Sequence, residues 1–419
     1  MIASIIQGNN GNRGMKMSSD KKVKYSIGPR LRTLGLGCTL LIIFLVTTVI
    51  CAGVFIGMLI ANGIEDTFVN YWVYPVAVIV VENIIFWTGI IMVYMSSRQL
   101  GAKVRIVGIL VGMIPVLHLI ALGIILYICI REYFFETKKI KLDAERHDEQ
   151  ICKTKYPLLM IHGIFFRDFK RFNYWGRVPA ELIKNGATIY YGNHESAETV
   201  AKSAEKLAER VRQVIEESGA EKVNVIAHSK GGLDMKYAIA HTDIAKYIAS
   251  VTTINTPHRG CEFAEYILNK APEKSKNAVA AAYNRTLRGL GDKSPDFLEA
   301  VGDLTASRCR EITEDADQFD YKAHGIYTQS VGSGMRHAIS GAFPLNMSFH
   351  LVKYFDGPND GLVGEPSFKW GVNYQFLTCR GRRGISHGDM IDLNRENLSG
   401  FDVREFYVQL VSDLKNRGL

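Results

Sequence analysis

The sequence predicts an α/β protein, a mostly parallel sheet with helices on both faces, preceded by a membrane anchor of three apolar helices. Three observations predict it. Between 156 and 260, short β-branched runs alternate with a segment of helical apolar spacing, the pattern of parallel strands covered on both faces. One of those runs, Val223-Asn224-Val225-Ile226-Ala227, stops at His228-Ser229-Lys230-Gly231-Gly232, where a serine among small residues marks a sharp strand-to-helix turn. Third, nearly all the uncharged apolar runs lie before residue 131, and most of the charge lies after it.

The anchor is read from those runs. Residues 33–64 carry no charge between Arg32 and Glu65, 71–96 carry only Glu82, and 106–130 carry none between Arg105 and Arg131. Each exceeds the roughly 20 residues that cross a hydrocarbon core. Residues 1–32, rich in Asn, Gly and Ser at their start and basic at their end, are expected to be disordered. Lys21, Lys22, Lys24, Arg30 and Arg32 precede the first run, and the next loop holds Glu65 and Asp66 but no Lys or Arg. That bias sets the N-terminus in the cytoplasm. Three crossings would then carry the domain that follows to the extracytoplasmic side. Arg131, Lys138, Lys139 and Lys141 run against this placement, although large domains translocate largely regardless of charge. Glu82 is costly in lipid and is expected either to pair with His118 or to face the bundle interior. Residues 131–154, of mixed charge, read as a helical stalk or linker.

A formal charge of +8 suits an anionic membrane surface or a nucleic acid. No basic-aromatic recognition module accompanies it, so the bilayer is the expected partner and nucleic acid is not. No CxxC pair occurs among the seven cysteines, which argues against a thiolate zinc site. Cys152, Cys261, Cys309 and Cys379 could form disulfides or remain free.

The domain is expected over 155–419. Tyr156–Ile161 and Ala187–Tyr191 read as strands, 196–218 as an amphipathic helix, 223–227 and 248–254 as further strands. From 261 to 320 no strand pattern occurs, which suggests a helical cap or lid. Strands resume at 326–331 and 374–377, and a final helix covers 401–415.

A serine hydroxyl is a weak nucleophile that needs a base, an acid to orient the base, and donors for the developing oxyanion. At a strand-helix elbow the chain order is Ser, then Asp or Glu, then His. Ser229 is the candidate nucleophile, with Ala227 in place of the usual first glycine. Asp360 and Asp356 both lie in the turn-rich Phe355-Asp356-Gly357-Pro358-Asn359-Asp360-Gly361, and either could orient the base. His387 is the only histidine C-terminal to Asp360, so order alone selects it. The backbone N–H of Lys230 and that of Ile164, which follows His162-Gly163, are the candidate oxyanion donors.

Val-x-Val-Ile-Ala-His-Ser-Lys-Gly-Gly, Pro-Leu-Leu-Met-Ile-His-Gly, Asn-Asp-Gly-Leu-Val and Ser-His-Gly-Asp together resemble the motifs of bacterial triacylglycerol lipases and related esterases of the α/β-hydrolase fold. The resemblance covers about 155–415. It implies Ser229, Asp360 and His387 as the triad, Ile164 and Lys230 at the oxyanion hole, His162, Gly163 and His228 as supporting motif residues, and a lid within 261–320. No cofactor is implied for the reaction. Several such lipases hold a structural calcium through the residue that corresponds to Asp389, but Leu393 stands where a glutamine is expected. Taken with the three apolar runs, which are not part of the secreted lipases' pattern, the expected function is a membrane-anchored carboxylic-ester hydrolase acting on acyl lipids. An acyltransferase with the same triad, or a catalytically silent hydrolase fold used for binding, are the competing readings.

Overall fold

The computed structural model describes residues 25–419 except 113, 115–116, 165–172, 196, 271, 290–295, 342–344 and 380–382. Most of the segment expected to be disordered, 1–24, lies outside the described residues. The chain forms two compact units, Met1–Glu145 and Arg146–Leu419.

Among the described residues of the first unit, three helices are long and apolar enough to cross a membrane: Pro29–Asn62, Val73–Ser96 and Leu117–Glu145. The first two pack as an antiparallel pair. Glycine makes the close approach possible: a Cβ at Gly37 would lie 2.9 Å from Val93 Cγ1, and one at Gly89 would lie 2.9 Å from Leu41 Cγ. Small residues let apolar helices associate where lipid removes the hydrophobic drive. Farther along, Phe44 meets Phe86 with centroids 5.1 Å apart, and Tyr74 Oη donates to the Cys51 carbonyl at 3.1 Å. Glu82 does not take His118 as its partner. Its carboxylate accepts from Thr48 Oγ1 at 3.4 Å, while His118 Nδ1 lies 3.3 Å from the Ile114 carbonyl, one turn back on its own segment.

The third apolar run departs from the single helix expected over 106–130. It is divided into Ala102–Val111 and Leu117–Glu145, with residues 113, 115 and 116 between them outside the described set. The second piece continues through Arg131, so the expected stalk is helical as far as Glu145. The two pieces lie side by side: a Cβ at Gly108 would come 3.1 Å from Ile125 Cδ1.

The second unit is built on strands β1 (Leu158–Ile161), β2 (Ile189–Tyr191), β3 (Val223–His228), β4 (Ile248–Ile254), β5 (Tyr327–Ser333) and β6 (Asn373–Leu377). Among the described residues they form one sheet in the order β2-β1-β3-β4-β5-β6, every neighbouring pair parallel. Strand side chains alternate between faces, and both faces are covered. Leu158 and Met160 join Trp175, Tyr407 and Val411 on one side, whereas Leu159 and Ile161 join Leu207, Val211 and Met235 on the other. That is why β1 reads as a continuous apolar run rather than an alternating one. A sheet parallel throughout brings all its C-terminal strand ends to one edge, where sites in such folds collect.

Among the described residues, four helices, Glu262–Lys270, Glu273–Gly289, Phe297–Gly302 and Ala306–Ala316, occupy the expected cap region. Part of it covers the body of the domain, since Cys309 and Ile312 pack on Val200 and Leu233. Ala300 instead packs on Ile164 and Ala197. Helices Val178–Lys184 and Leu345–Asp356 have no counterpart in the sequence reading, and the second puts Asp356 at a helix end rather than in a loop. None of the seven cysteines is joined in a disulfide.

Candidate active site

Ser229 follows β3 directly and has φ 56° and ψ −132°. A non-glycine residue in such a conformation costs on the order of 1–3 kcal/mol and persists only where its surroundings enforce it. Here they do. The Ser229 N–H continues the sheet by donating to the Ile254 carbonyl at 2.9 Å, and the Ser229 carbonyl accepts from Gly232 N at 3.1 Å as helix Lys230–His241 begins. Glycines let three segments close on the turn. A Cβ on Gly163 would stand 2.8 Å from Ser229 Cβ, one on Gly231 would meet the His162 carbonyl oxygen, and one on Gly232 would meet Thr256 Oγ1. The loop after β1 is thereby seated against the elbow, with Ile164 and Lys230 on adjoining segments.

His387 and Asp360 come from loops far apart in the chain. His387 Nδ1 lies 2.6 Å from Asp360 Oδ2, and the His387 N–H donates to the Asp360 carbonyl at 2.9 Å. Three further donors hold the Asp360 carboxylate: Asn255 Nδ2 at 2.6 Å, Leu362 N at 2.9 Å and Val363 N at 2.8 Å. An ionised carboxylate only accepts, so His387 Nδ1 is the donor in this contact. The His387 ring lies against that of His228, the residue before Ser229, with centroids 4.6 Å apart. Asp360 rather than Asp356 is thus the carboxylate joined to the histidine. Burial raises the Asp356 carboxyl to about 6, with the nearby Glu262 charge adding to the effect.

Two supporting groups were not legible as such. Tyr174 Oη accepts from Gly163 N at 3.0 Å and shares a hydrogen bond with His228 Nδ1 at 2.7 Å, tying the β1 loop to the elbow. Burial, and secondarily the neighbouring His387, hold His228 well below the ordinary histidine range, so it is neutral. Asn255, at φ 48° after β4, bridges Asp360 to Ser333 Oγ, 2.7 Å away. The sequence marks it only as the first residue of Asn255-Thr256-Pro257, a strand end. Lys230 is buried, and its Nζ donates to Asp234 Oδ1 at 2.6 Å and to Ser203 Oγ at 3.1 Å. Its side chain is thereby turned into the protein behind the turn, and its backbone is fixed. His162 stacks on His194 with centroids 4.1 Å apart, and Asp234 lies 3.6 Å from His194 Nε2.

Asp389 braces the histidine loop. Its Oδ2 accepts from Ser386 N and Ser386 Oγ, both at 2.8 Å, and its Oδ1 accepts from Arg383 at 3.1 Å. Asp392 is taken by Arg177 in a bidentate pair at 2.8 Å. Calcium needs six to eight oxygens, and a guanidinium on the principal candidate ligand opposes a cation. Among the described residues no three His, Cys, Asp or Glu side chains gather as a metal site. The residues present do not fit the calcium suggested by Asp389.

A family model described as "Putative serine esterase (DUF676)" matches residues 187–283, which include β3 and Ser229. A triacylglycerol lipase of Pseudarthrobacter phenanthrenivorans is 35% identical over 167 residues, 37% of this chain and 52% of the relative. One from Vibrio cholerae is 28% identical over 288 residues, 64% of this chain and 90% of the relative. Triacylglycerol lipase 2 of Saccharomyces cerevisiae is 33% identical over 265 residues, 58% of this chain and 74% of the relative. The chain belongs to the lipase/esterase family. Its second unit is an α/β-hydrolase domain, as the motif resemblance implies. The match to the Pseudarthrobacter protein spans about half of that protein's length, and the first unit adds the three long apolar helices.

Proposed function

We propose that the protein is a membrane-anchored serine carboxylic-ester hydrolase acting on acyl lipids, with Ser229 as nucleophile, His387 as base and Asp360 as its orienting acid. The observation that carries this reading is the 2.6 Å contact of His387 Nδ1 with an Asp360 carboxylate held by three other donors, the His387 ring lying against that of His228, which precedes the elbow serine. The names of its relatives, triacylglycerol lipases, supply the substrate class.

In the proposed reaction, Ser229 Oγ attacks the ester carbonyl carbon as its proton passes to His387 Nε2. The oxyanion is met by the N–H groups of Ile164 and Lys230, each worth roughly 100-fold or more in turnover. The imidazolium, stabilised by Asp360, returns the proton to the departing alcohol as the C–O bond breaks. Water, deprotonated by the same histidine, then attacks the acyl-enzyme and releases the acid. The apolar helices hold the domain at a bilayer, and the helices between β4 and β5 provide a cover that reaches Ile164 through Ala300.

The test is hydrolysis of an ester panel of graded acyl length, including triacylglycerol and phospholipid, by the full chain and by Ser229→Ala. The reading requires turnover of acyl esters that Ser229→Ala loses. Equal turnover by the two, or none by either on any ester, would reject it.

A further inference from the structure

One carboxylate gathers the ends of the anchor's helices. Glu132 Oε1 accepts from Arg30 Nη1 at 2.6 Å, at the start of the first long helix. Its Oε2 accepts from Ser97 Oγ at 2.6 Å, and the N–H groups of Arg98 and Gln99 reach the same carboxylate at 3.1 Å, just past the end of the second. Arg30 Nη1 also donates to the Ser96 carbonyl at 2.8 Å, and Arg105 Nη2 donates to the Ser97 carbonyl at 2.6 Å. The N-terminal end of Pro29–Asn62, the C-terminal end of Val73–Ser96, the first turn of Ala102–Val111 and the middle of Leu117–Glu145 therefore occupy one polar layer.

The segment between Arg105 and Glu132 leaves that layer and comes back to it. Ala102–Val111 rises for ten residues, and Leu117–Glu145 descends beside it to Glu132. At 1.5 Å per residue these limbs measure roughly 15 Å and 22 Å, each short of a hydrocarbon core of about 30 Å. The 24-residue helix Val73–Ser96 is long enough to cross.

We propose that the chain crosses the bilayer twice and then dips into it as a re-entrant helical hairpin, so that Glu145 and everything after it stay on the face where the N-terminus lies. Charge identifies that face. Arg30, Arg32, Arg98, Lys103, Arg105, Arg131, Lys138, Lys139 and Lys141 flank the shared layer, whereas the far loop holds Glu65 and Asp66, no Lys or Arg, and the interfacial aromatics Tyr71 and Trp72. Positive residues mark the cytoplasmic side. The basic run after Arg131, which opposed an outer domain, agrees with this topology. The α/β-hydrolase unit then faces the cytoplasm, and, resting on the hydrolase reading, its substrates are acyl esters of the cytoplasmic leaflet.

Sidedness is measured without activity, so the test stands whether or not an ester is cleaved. Glu65→Cys and Lys246→Cys, each in the full chain, are exposed to a membrane-impermeant maleimide in right-side-out and in inverted membrane vesicles, with the wild type as background. The proposal requires Glu65→Cys to label in right-side-out vesicles and Lys246→Cys in inverted ones. Labelling of both positions in the same vesicle orientation would overturn it. Should either variant misfold, a reporter fused after Leu419 decides: cytoplasmic fluorescence supports the proposal, and extracytoplasmic phosphatase activity overturns it.

Discussion

Glu132 in the anchor and Asp360 in the hydrolase unit are alike in one respect. Each is a buried carboxylate on which distant chain segments converge, and each receives two backbone N–H groups. They differ in the donors that complete the shell. Glu132 takes a guanidinium and a hydroxyl, which hold their protons at any physiological pH. Asp360 takes an amide and an imidazole, and the imidazole has a second nitrogen that can receive a proton. The same electrostatic device ties helix ends in one place and, in the proposed mechanism, poises a base in the other. What separates a brace from a catalytic acid is the titratable partner, not the burial of the carboxylate.

The strongest way to break the comparison is to remove each charge in turn. Asp360→Asn leaves the shape intact but favours the wrong His387 tautomer, and kcat on a soluble ester should fall by roughly 10⁴ with little change in KM. A loss under tenfold would mean that Asp360 does not orient the base. Glu132→Ala should leave that soluble-ester turnover within about threefold, yet strand Arg30 and three other groups. On the order of 3 kcal/mol of anchor stability should be lost, read as a lowered melting temperature in detergent. Unchanged melting would show that the shared layer is not a brace.

Two smaller effects sharpen it. Asn255→Ala removes one donor to a charged acceptor and should cost about 1.5–3 kcal/mol in the activation barrier, or roughly 10- to 100-fold in kcat. Asn255→Asp should be worse, because a second carboxylate would face Asp360. His228 is buried and neutral, and burial likewise holds His258 well below its ordinary range. Below about pH 6.5 the unfolded chain binds protons that the folded one refuses, so stability falls as pH drops. Each histidine contributes up to about 1.4 kcal/mol per pH unit. Thermal melts between pH 7 and 5 should therefore flatten in His228→Gln by about that slope.

Local chemistry made much of this readable in advance. Ser229 is legible because an elbow needs small neighbours, and His387 because chain order leaves no other histidine after Asp360. The central strands are legible because burial on both faces favours short runs rich in β-branched and apolar residues. Tyr174 and Asn255 were not, since a tyrosine or a strand-end asparagine shows its partner only when the sheet has brought distant loops together. The division of the third apolar run into two helices is not readable from hydropathy, which counts charges and ignores backbone. Gly112 and Pro115 within that run were the available signs of a break. Asp389 shows the converse: its position suggests a cation ligand, and only the folded loop shows that its carboxylate accepts from Arg383 and Ser386.

The most direct test of the central claim is covalent. Membranes bearing the full chain are treated with a fluorophosphonate, and the modified residue is located by peptide mass spectrometry. The account predicts a single adduct on Ser229, absent from Ser229→Ala and strongly slowed in Asp360→Asn. No adduct on the wild type, or equal labelling of Ser229→Ala, would contradict it.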